Sequence, residues 1–284
     1  MKHAYCILAH NNWNQLQTLI DLLDDSRNDI YLHIDLKSLR DFNKMGGVKT
    51  KYSVLESVNS ISVGWGDISI CDAEICLYSA VLASNKRYDR VHLISGVDLP
   101  LKNQDVIHSF FDLRREEEFI DVKTDSVFAH RMSYYYFFFK ESRNSKFYTM
   151  VRRLLLVPQY LFVNRLKGSS LSFAYGSNWT SLTLRAIQEI VEKFTVYRHL
   201  FKYTSCSDEH FQQMILLSNG TFKFAKENNL RYIDWSQKMS SPKTFVSDDF
   251  NSIIQSGCFF ARKFNMNEDA SIIEKIALHV KNQI

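Results

Sequence analysis

The sequence predicts an α/β fold with a mostly parallel central sheet flanked by helices. In the N-terminal half, short apolar runs typical of strands alternate with longer segments whose apolar residues recur at helical spacing. Such alternation is typical of a parallel sheet that helices cover on both faces. The composition agrees, because 45% hydrophobic residues with only 9 Gly and 3 Pro in 284 residues describe an ordered globular chain.

Each element of the N-terminal half has its own signal. The runs HAYCILAH, DIYLHID and YDRVHLISG predict strands at residues 3–10, 29–35 and 88–96. Apolar residues at helical spacing predict helices within residues 11–25 and 69–84. Because open α/β sheets bind ligands at the carboxyl ends of their strands, the polar residues there are candidates for a binding site. They are His10, Asp35 and the run Ser95-Gly96-Val97-Asp98.

The C-terminal third mixes shorter elements. A tight turn followed by a helix is predicted over residues 175–194, and a last helix over residues 269–280. The stretch SCSDEHFQQM (205–214) predicts the start of another helix, whose apolar face carries Phe211, Met214 and Ile215. Residues 229–235, NLRYIDW, predict a short strand, and SPKTF, residues 241–245, a loop.

From Met132 to Lys167, aromatic and basic residues interleave, and two interpretations are open. The segment forms ordinary helices with a buried aromatic face, or an amphipathic surface that rests on a membrane or holds a lipid-linked acceptor. No apolar run reaches the roughly 18–20 residues that span a bilayer. The second interpretation turns five basic side chains toward anionic headgroups. They are Lys146, Arg152, Arg153, Arg165 and Lys167.

Charge and cysteine content indicate the class of binding partner and the cellular location. The net charge of +4 and the pI of about 8.7 are typical of a protein that binds an anionic substrate or an anionic membrane surface. A charge this small does not require nucleic acid, and we expect no nucleic-acid partner. The 5 cysteines are odd in number and lack CxxC spacing, and the first apolar run is a strand rather than a signal peptide. We therefore expect free thiols and a cytoplasmic protein, with peripheral contact to the cytoplasmic face of the membrane left open.

Six patches in order, ILAHNN, YLHIDLKS, LISGVDLPLKN, YGSNWTSL, CSDEHFQQ and FFARKF, resemble those of the core-2/I-branching enzymes, glycosyltransferase family GT14. That family also includes peptide O-xylosyltransferases. The resemblance covers roughly residues 3–265. It implies a GT-A-like fold, a UDP-sugar donor, inversion at the anomeric carbon and a metal-independent reaction with no cofactor. Animal members carry a membrane anchor and disulfides that this sequence does not suggest, so the chain looks like a bacterial relative.

The resemblance also implies how the chain is organised. We expect a single glycosyltransferase domain, residues 1–284. Within it, residues 1–125 form the nucleotide-sugar-binding half, residues 126–170 an aromatic and basic insertion, and residues 171–284 the acceptor and catalytic half.

An inverting transfer is a single displacement and needs one base to take the proton of the acceptor hydroxyl. The resemblance places Glu209 on the catalytic glutamate of the family and Asp208 on its neighbouring aspartate. Helical spacing turns Asp208 toward the packed side. We interpret Asp208, with Ser205 or Ser207, as support for the start of the helix.

The departing UDP needs positive charge, which a preorganised site supplies. No two aspartates are separated by a single residue, so the D-x-D motif that holds a cation in most GT-A enzymes is absent. The resemblance implies that side chains replace it. Lys263 matches the family lysine, Lys243 lies near the family arginine, and Arg262 is an alternative to Lys263. For each lysine, an ordinary solvated charge is the competing interpretation.

We expect the donor base and ribose to lie at the carboxyl ends of the first strands. Donor candidates are His10, Asp35, Lys37 and Asp98. The alternative for His10 is a purely structural histidine, and the alternative for Asp98 is an Asx-turn before Pro100. Acceptor candidates are Ser177, Trp179, Tyr232 and Trp235, because aromatic faces stack on sugars. YIDW departs from the aromatic pair of the family, which leaves the acceptor open. For Trp65, ahead of the second helix, we favour core packing.

Together these features predict an inverting, metal-independent glycosyltransferase. We expect it to move GlcNAc from UDP-GlcNAc to a hydroxyl of a glycan or lipid-linked saccharide, like a β-1,6-N-acetylglucosaminyltransferase, in bacterial surface polysaccharide synthesis. UDP-xylose, UDP-glucose, UDP-galactose and UDP-glucuronate remain open as donors. A non-catalytic sugar- or nucleotide-binding protein is one alternative, and a glycosidase is another. A glycosidase needs two carboxyl groups about 5–10 Å apart, which one sequence does not reveal.

Overall fold

The computed structural model describes residues 1–142, 145–237 and 241–283. Its strands, in chain order, are β1 (His3–Ala9), β2 (Asn28–Ile34), β3 (Val54–Ser57), β4 (Arg90–Ser95), β5 (Leu99–Pro100), β6 (Glu117–Glu118), β7 (Ser181–Leu182), β8 (Lys223–Phe224), β9 (Arg231–Ile233) and β10 (Phe260–Arg262). Its helices are α1 (Trp13–Leu23), α2 (Leu39–Lys44), α3 (Ile68–Ala83), α4 (Gln104–Asp112), α5 (Ala129–Ser133), α6 (Phe139–Ser142), α7 (Lys146–Leu156), α8 (Gln159–Phe162), α9 (Leu184–Phe201), α10 (Phe211–Asn219), α11 (Phe250–Gln255) and α12 (Ala270–Lys281).

The central sheet has the strand order β3-β2-β1-β4-β7. Its first four strands run parallel, and β7 pairs antiparallel with β4. Every residue of β2 and β4 is buried, as expected for strands covered on both faces. The predicted α/β fold with a mostly parallel central sheet flanked by helices is confirmed.

Two apolar clusters cover the two faces of this sheet. One cluster joins β1 and β2 to side chains such as Leu16 of α1 and Ile272 of α12. The other joins the sheet to α3, α9 and α10, and contains the predicted face Phe211, Met214 and Ile215. The amphipathic patterns of the sequence therefore located the buried sides of these helices.

A second sheet brings the C-terminal segment to the end of β4. It has the order β5-β10-β9, with β10 antiparallel to β5 and parallel to β9. Because β5 starts 4 residues after β4 ends, this pairing places the residues that follow β10 beside the loop of residues 95–98. The main-chain bond from Phe264 N to Val97 O, 2.9 Å, fixes that contact.

The aromatic and basic segment folds into the short helices α5 to α8. In α7 no side chain is buried, so the interpretation of a buried aromatic face is wrong for this helix. None of the described helices has the length and apolarity needed to cross a membrane. The expectation of free thiols is confirmed for all five cysteines: Cys6, Cys71, Cys76, Cys206 and Cys258.

Candidate active site

The loops that follow β1 and β2 meet at the carboxyl edge of the central sheet. Asp35 N donates to Ala9 O at 2.9 Å, and His10 lies exposed beside this contact. The buried carboxylate of Asp35 accepts from Lys37 N at 2.9 Å and pairs with Lys37 Nζ at 3.2 Å. The structure thus groups three of the donor candidates, His10, Asp35 and Lys37, on one edge.

The fourth donor candidate, Asp98, is fully buried and holds an arginine in place. Its carboxylate accepts from Ser95 N at 3.0 Å, from Ser95 Oγ at 2.5 Å and from Arg262 Nε at 3.0 Å. The Asx-turn alternative is wrong, because Pro100, two residues later, has no N–H to donate. The Arg262 guanidinium lies 4.2 Å from the ring centroid of Trp179. Asp98 therefore positions Arg262 against an acceptor candidate.

The two candidate lysines lie on adjacent segments. Lys263 follows β10, its carbonyl accepts from Phe245 N at 2.8 Å, and its Nζ donates to Ser241 Oγ at 3.2 Å. Lys243 pairs with Asp249 at 2.6 Å, and this hydrogen bond raises the pKa of Lys243. Lys263 has no carboxylate within ion-pair distance among the described residues, so its charge is the more available of the two.

Amide side chains join the β1 loop to the segment after β10. Asn12, which begins α1 with a φ of 54°, donates from Nδ2 to Asn265 Oδ1 at 3.0 Å. Gln15 donates to Phe264 O at 3.0 Å and accepts from Met266 N at 2.9 Å. These contacts hold the loop that follows β1, which carries His10, against the segment that follows β10, which carries Lys263. Sequence reasoning missed them, although Asn12 stands in the patch ILAHNN.

Glu209 ends a 3-10 turn, Ser207–Glu209, that precedes α10. Its side chain is 37% exposed and forms an ion pair with Arg131 of α5. Its carbonyl accepts from Gly176 N at 2.9 Å. A Cβ atom at Gly176 would lie 1.9 Å from Asp121 O, so only glycine allows this approach. Glu209 is thereby fixed beside Ser177, with its carboxylate at the surface.

Asp208 is not a helix cap. The α-helix begins only at Phe211, and no side chain caps either this helix or the preceding turn. The Ser207 hydroxyl instead accepts from Cys71 Sγ at 3.4 Å. The capping interpretation of Ser205, Ser207 and Asp208 is therefore wrong, because the 3-10 turn separates them from the first amides of α10.

One carboxylate oxygen of Asp208 is buried. Its Oδ1 is buried and has no hydrogen-bond partner within the described ranges. Burial, with the charge of Glu209 as the next cause, raises the pKa of Asp208 to about 7. The expectation that Asp208 faces the packed side is confirmed, but with a different consequence: near neutral pH this carboxyl group holds a proton part of the time.

A buried polar network lies on the packed side of the turn. Glu74 of α3 is fully buried and accepts from Asn178 Nδ2 at 3.0 Å and from Gln212 Nε2 at 2.9 Å. Burial, followed by the charge of Asp208, raises the pKa of Glu74 well above its usual range. Sequence reasoning missed this network, although Asn178 and Gln212 stand inside the patches YGSNWTSL and CSDEHFQQ.

The acceptor candidates differ in how accessible they are. Trp179 is buried beneath Arg262, and Tyr232 stacks on Phe245 with 5.4 Å between ring centroids. Trp235 is 52% exposed and offers an open aromatic face. The segment 176–179 connects the two sides of the site, because Gly176 contacts Glu209 and Trp179 contacts Arg262.

Trp65 is 49% exposed, so the prediction that it packs in the core is wrong. Its ring stacks on Phe139 with 6.4 Å between centroids. The carbonyl of the next residue, Gly66, accepts from Cys206 N at 2.8 Å. This bond places the Trp65 loop beside the turn that carries Glu209.

A cavity of about 470 Å³ lies elsewhere, at the opposite end of β4. Residues such as Asp89, Thr183 and Lys223 line it, and none of the candidate residues does. Nor do the described residues bring three His, Cys, Asp or Glu side chains together in a way that could hold a metal ion. The candidates gather instead in the open loops at the carboxyl edge.

A mostly parallel sheet with acidic, basic and aromatic side chains on the loops at its carboxyl edge defines the class, an α/β protein with its ligand site at that edge. The family model of the Core-2/I-Branching enzyme matches residues 3–255. The chain belongs to the core-2/I-branching enzyme family, and the resemblance seen in the sequence is confirmed.

Similar proteins carry xylosyltransferase names. The chain is 21% identical over 274 residues to xylosyltransferase oxt of Drosophila pseudoobscura pseudoobscura, covering 88% of this chain and 30% of the fly protein. It is 20% identical over 304 residues to a xylosyltransferase of Ciona intestinalis, covering 98% of this chain and 33% of that protein. The chain thus spans about a third of the length of these relatives.

Two solved structures overlap weakly with this one. Mouse xyloside xylosyltransferase 1 in its apo form has a TM-score of 0.39 and 13% identity, covering 93% of this chain and 98% of that chain. The apo-form glycosyltransferase GlyE of Streptococcus pneumoniae TIGR4 has a TM-score of 0.37 and 10% identity, covering 98% of this chain and 60% of that chain. TM-scores this low carry no weight in the assignment.

Proposed function

We propose that the protein is an inverting glycosyltransferase that moves a sugar from a UDP-sugar to a hydroxyl of a glycan or lipid-linked saccharide. The observation that carries the proposal is the placement of Glu209. Its carboxylate reaches the surface, while its backbone is fixed to Gly176 on the segment that leads to Trp179 and Arg262. A single displacement requires a carboxylate that reaches the acceptor and a cation that meets the leaving group, and residues 176–179 contact the segments that carry both.

In the proposed reaction, the acceptor oxygen attacks the anomeric carbon as the bond from that carbon to the UDP oxygen breaks. Glu209 takes the proton of the acceptor hydroxyl. Arg131 orients the Glu209 carboxylate through their ion pair before the acceptor arrives. The acceptor hydroxyl then replaces Arg131 as the hydrogen-bond partner of one Glu209 oxygen.

Lys263 is the leading candidate for the charge that meets the departing UDP. Arg262 pairs with Asp98, and Lys243 pairs with Asp249, whereas the Nζ of Lys263 donates to the Ser241 hydroxyl and pairs with no carboxylate of the described residues. A displacement of Asp249 would free Lys243 to contribute. With these cations and without a D-x-D motif, we propose a reaction that needs neither a divalent metal nor a cofactor.

UDP-GlcNAc is the proposed donor, in line with the branching enzymes, and bacterial surface polysaccharide synthesis the proposed setting. UDP-xylose is the second candidate, supported by the xylosyltransferase names of the similar proteins. UDP-glucose, UDP-galactose and UDP-glucuronate complete the panel. We also propose a cytoplasmic location, which the five free thiols support.

The test is a panel of these UDP-sugars with EDTA present. We expect UDP to raise the Tm, and one UDP-sugar to release UDP, with no divalent cation. Lys263→Gln should weaken UDP binding by about tenfold or more. Lys193→Gln, at an exposed position of α9, is the matched control and should bind normally. A strict requirement for Mn²⁺, or equal UDP affinity in both variants, would contradict the assignment of Lys263.

A further inference from the structure

An exposed apolar stripe runs along α7 and α8. Along α7 its residues are spaced three and four apart, which places them on one helical face, and the stripe continues past Pro158 into α8. Each is more than half exposed, and α7 has no buried side chain. The stripe consists of Phe147, Met150, Leu154, Val157 and Leu161, with Tyr160 and Phe162 beside its end. Contiguous apolar surface of this kind marks an interaction site in a folded protein.

The segment that carries the stripe contains basic residues and no acid, and the nearest preceding acid is exposed Glu141 of α6. Between residues 142 and 174 the sequence contains 6 Lys or Arg and no Asp or Glu. Lys146, Arg153 and Lys167 are exposed and make no ion pair within the described parts of the chain. Arg165, in contrast, donates to Tyr134 O at 2.9 Å and to Leu200 O. The expectation that Arg165 faces outward is therefore wrong. It is also wrong for Arg152, which is half-buried with its guanidinium 5.4 Å from the ring centroid of Phe139. Lys146, Arg153 and Lys167 remain as the exposed cations of this segment.

The stripe is attached firmly to the rest of the protein. Buried Gln159 of α8 donates to Tyr135 O at 3.1 Å and accepts from Tyr135 N at 2.7 Å. Arg165 N donates to Ser133 O at 3.0 Å, at the end of α5. The same helix α5 carries Arg131, the ion-pair partner of Glu209. The exposed face is thus held by the segment that also contacts the candidate base.

We propose that α7 and α8 dock on the surface of an anionic lipid bilayer. The apolar stripe enters the boundary between headgroups and acyl chains, and Lys146, Arg153 and Lys167 contact lipid phosphates. A second copy of this chain fits the stripe less well. A symmetric contact would bring the same three cations of both copies together, with no acid in the segment to neutralise them.

Docking does not depend on the chemistry proposed above. If that chemistry holds, docking brings a lipid-borne acceptor to the side of the protein on which α5 contacts Glu209. The two proposals can therefore fail separately: loss of vesicle binding leaves turnover on a water-soluble acceptor intact, and loss of turnover leaves vesicle binding intact.

The experiment is flotation of the full chain with vesicles of phosphatidylcholine, alone or mixed with phosphatidylglycerol. The protein should float with the mixed vesicles and bind them at least about tenfold more tightly than neutral ones. The triple variant Phe147→Ser, Leu154→Ser, Leu161→Ser should lose binding while keeping the wild-type Tm.

A matched control removes equally exposed apolar side chains elsewhere: Leu113→Ser, Val127→Ser, Leu278→Ser. This variant should float like the wild type. Lys146→Glu, Arg153→Glu, Lys167→Glu should abolish the preference for anionic vesicles. Failure of the wild type to bind vesicles would overturn the proposal. So would equal binding by the stripe variant, or a dimer in solution that the stripe variant abolishes.

Discussion

Replacement of Asp208 by Asn tests the carboxyl group whose Oδ1 is buried beside the candidate base. Burial and the neighbouring Glu209 raise the pKa of Asp208 from 3.8 to about 7. Between these two pH values the folded protein holds one proton that the unfolded chain has released. The free energy of unfolding therefore falls as pH rises from about 4 to about 7, and is constant above that range as far as Asp208 is concerned.

The size of the effect follows from the same two values. At about 1.4 kcal/mol per pH unit, the difference between 3.8 and 7 sets a ceiling of about 4 kcal/mol. Asp208 is partly exposed, and Glu209 shares the interaction, so we expect roughly half of that, about 2 kcal/mol. Asn resembles the protonated carboxyl group and never ionises. The variant should therefore gain about 2 kcal/mol relative to the wild type between about pH 4 and pH 8.

Urea unfolding followed by tryptophan fluorescence at a series of pH values measures this difference. Asp248→Asn is the matched control, because Asp248 also occupies the middle of a 3-10 turn but is exposed. The gain in stability toward neutral pH should be larger for Asp208→Asn than for Asp248→Asn. Groups that Asp208 does not influence are present in both proteins and cancel in the comparison. Glu74, whose pKa the charge of Asp208 also raises, adds to the difference in the same direction. A stability difference for Asp208→Asn that is constant, or that grows toward low pH, would refute the reasoning.

Two further predictions concern the support of Glu209. Arg131→Ala should lower turnover by about tenfold through lost orientation of the carboxylate, while changing stability by less than about 1 kcal/mol. Arg131→Lys should retain more activity in the same assay, and equal loss in both variants would argue against a role for the charge. Gly176→Ala should lower the free energy of unfolding by about 1–3 kcal/mol, because its Cβ meets Asp121 O at 1.9 Å. Gly220→Ala, where a side chain meets only the strain of the positive φ, should lower the free energy of unfolding by about 1 kcal/mol. A smaller loss for Gly176→Ala than for Gly220→Ala would contradict the close approach of Gly176 to Asp121 O.

Local pattern predicted much of the fold. Apolar residues at helical spacing within residues 11–25 located α1, and the alternation of strands and helices predicted the parallel sheet. Positions at strand ends, His10 and Asp35, also lie together as expected, because all parallel strands share one carboxyl edge. These features depend on signals within about 20 residues of sequence.

Contacts between distant segments were beyond the sequence. Arg131 and Glu209 are 78 residues apart, and nothing in the spacing of either indicates the other. Glu74 stands in an ordinary helical pattern, so only the structure reveals the amides that bond it. Asp208 was misinterpreted because the 3-10 turn delays the start of α10, a difference of a few residues that helical propensity does not resolve.

The role of Glu209 as the base is the central claim, and Glu209→Gln tests it most directly. Turnover with the accepted UDP-sugar and UDP affinity are measured on the same preparation. We predict that kcat falls by about 10²-fold or more, because the amide cannot take the acceptor proton, while UDP binds as tightly as to the wild type. Near-normal turnover, or a loss of UDP binding that accounts for the loss of rate, would contradict the role of Glu209.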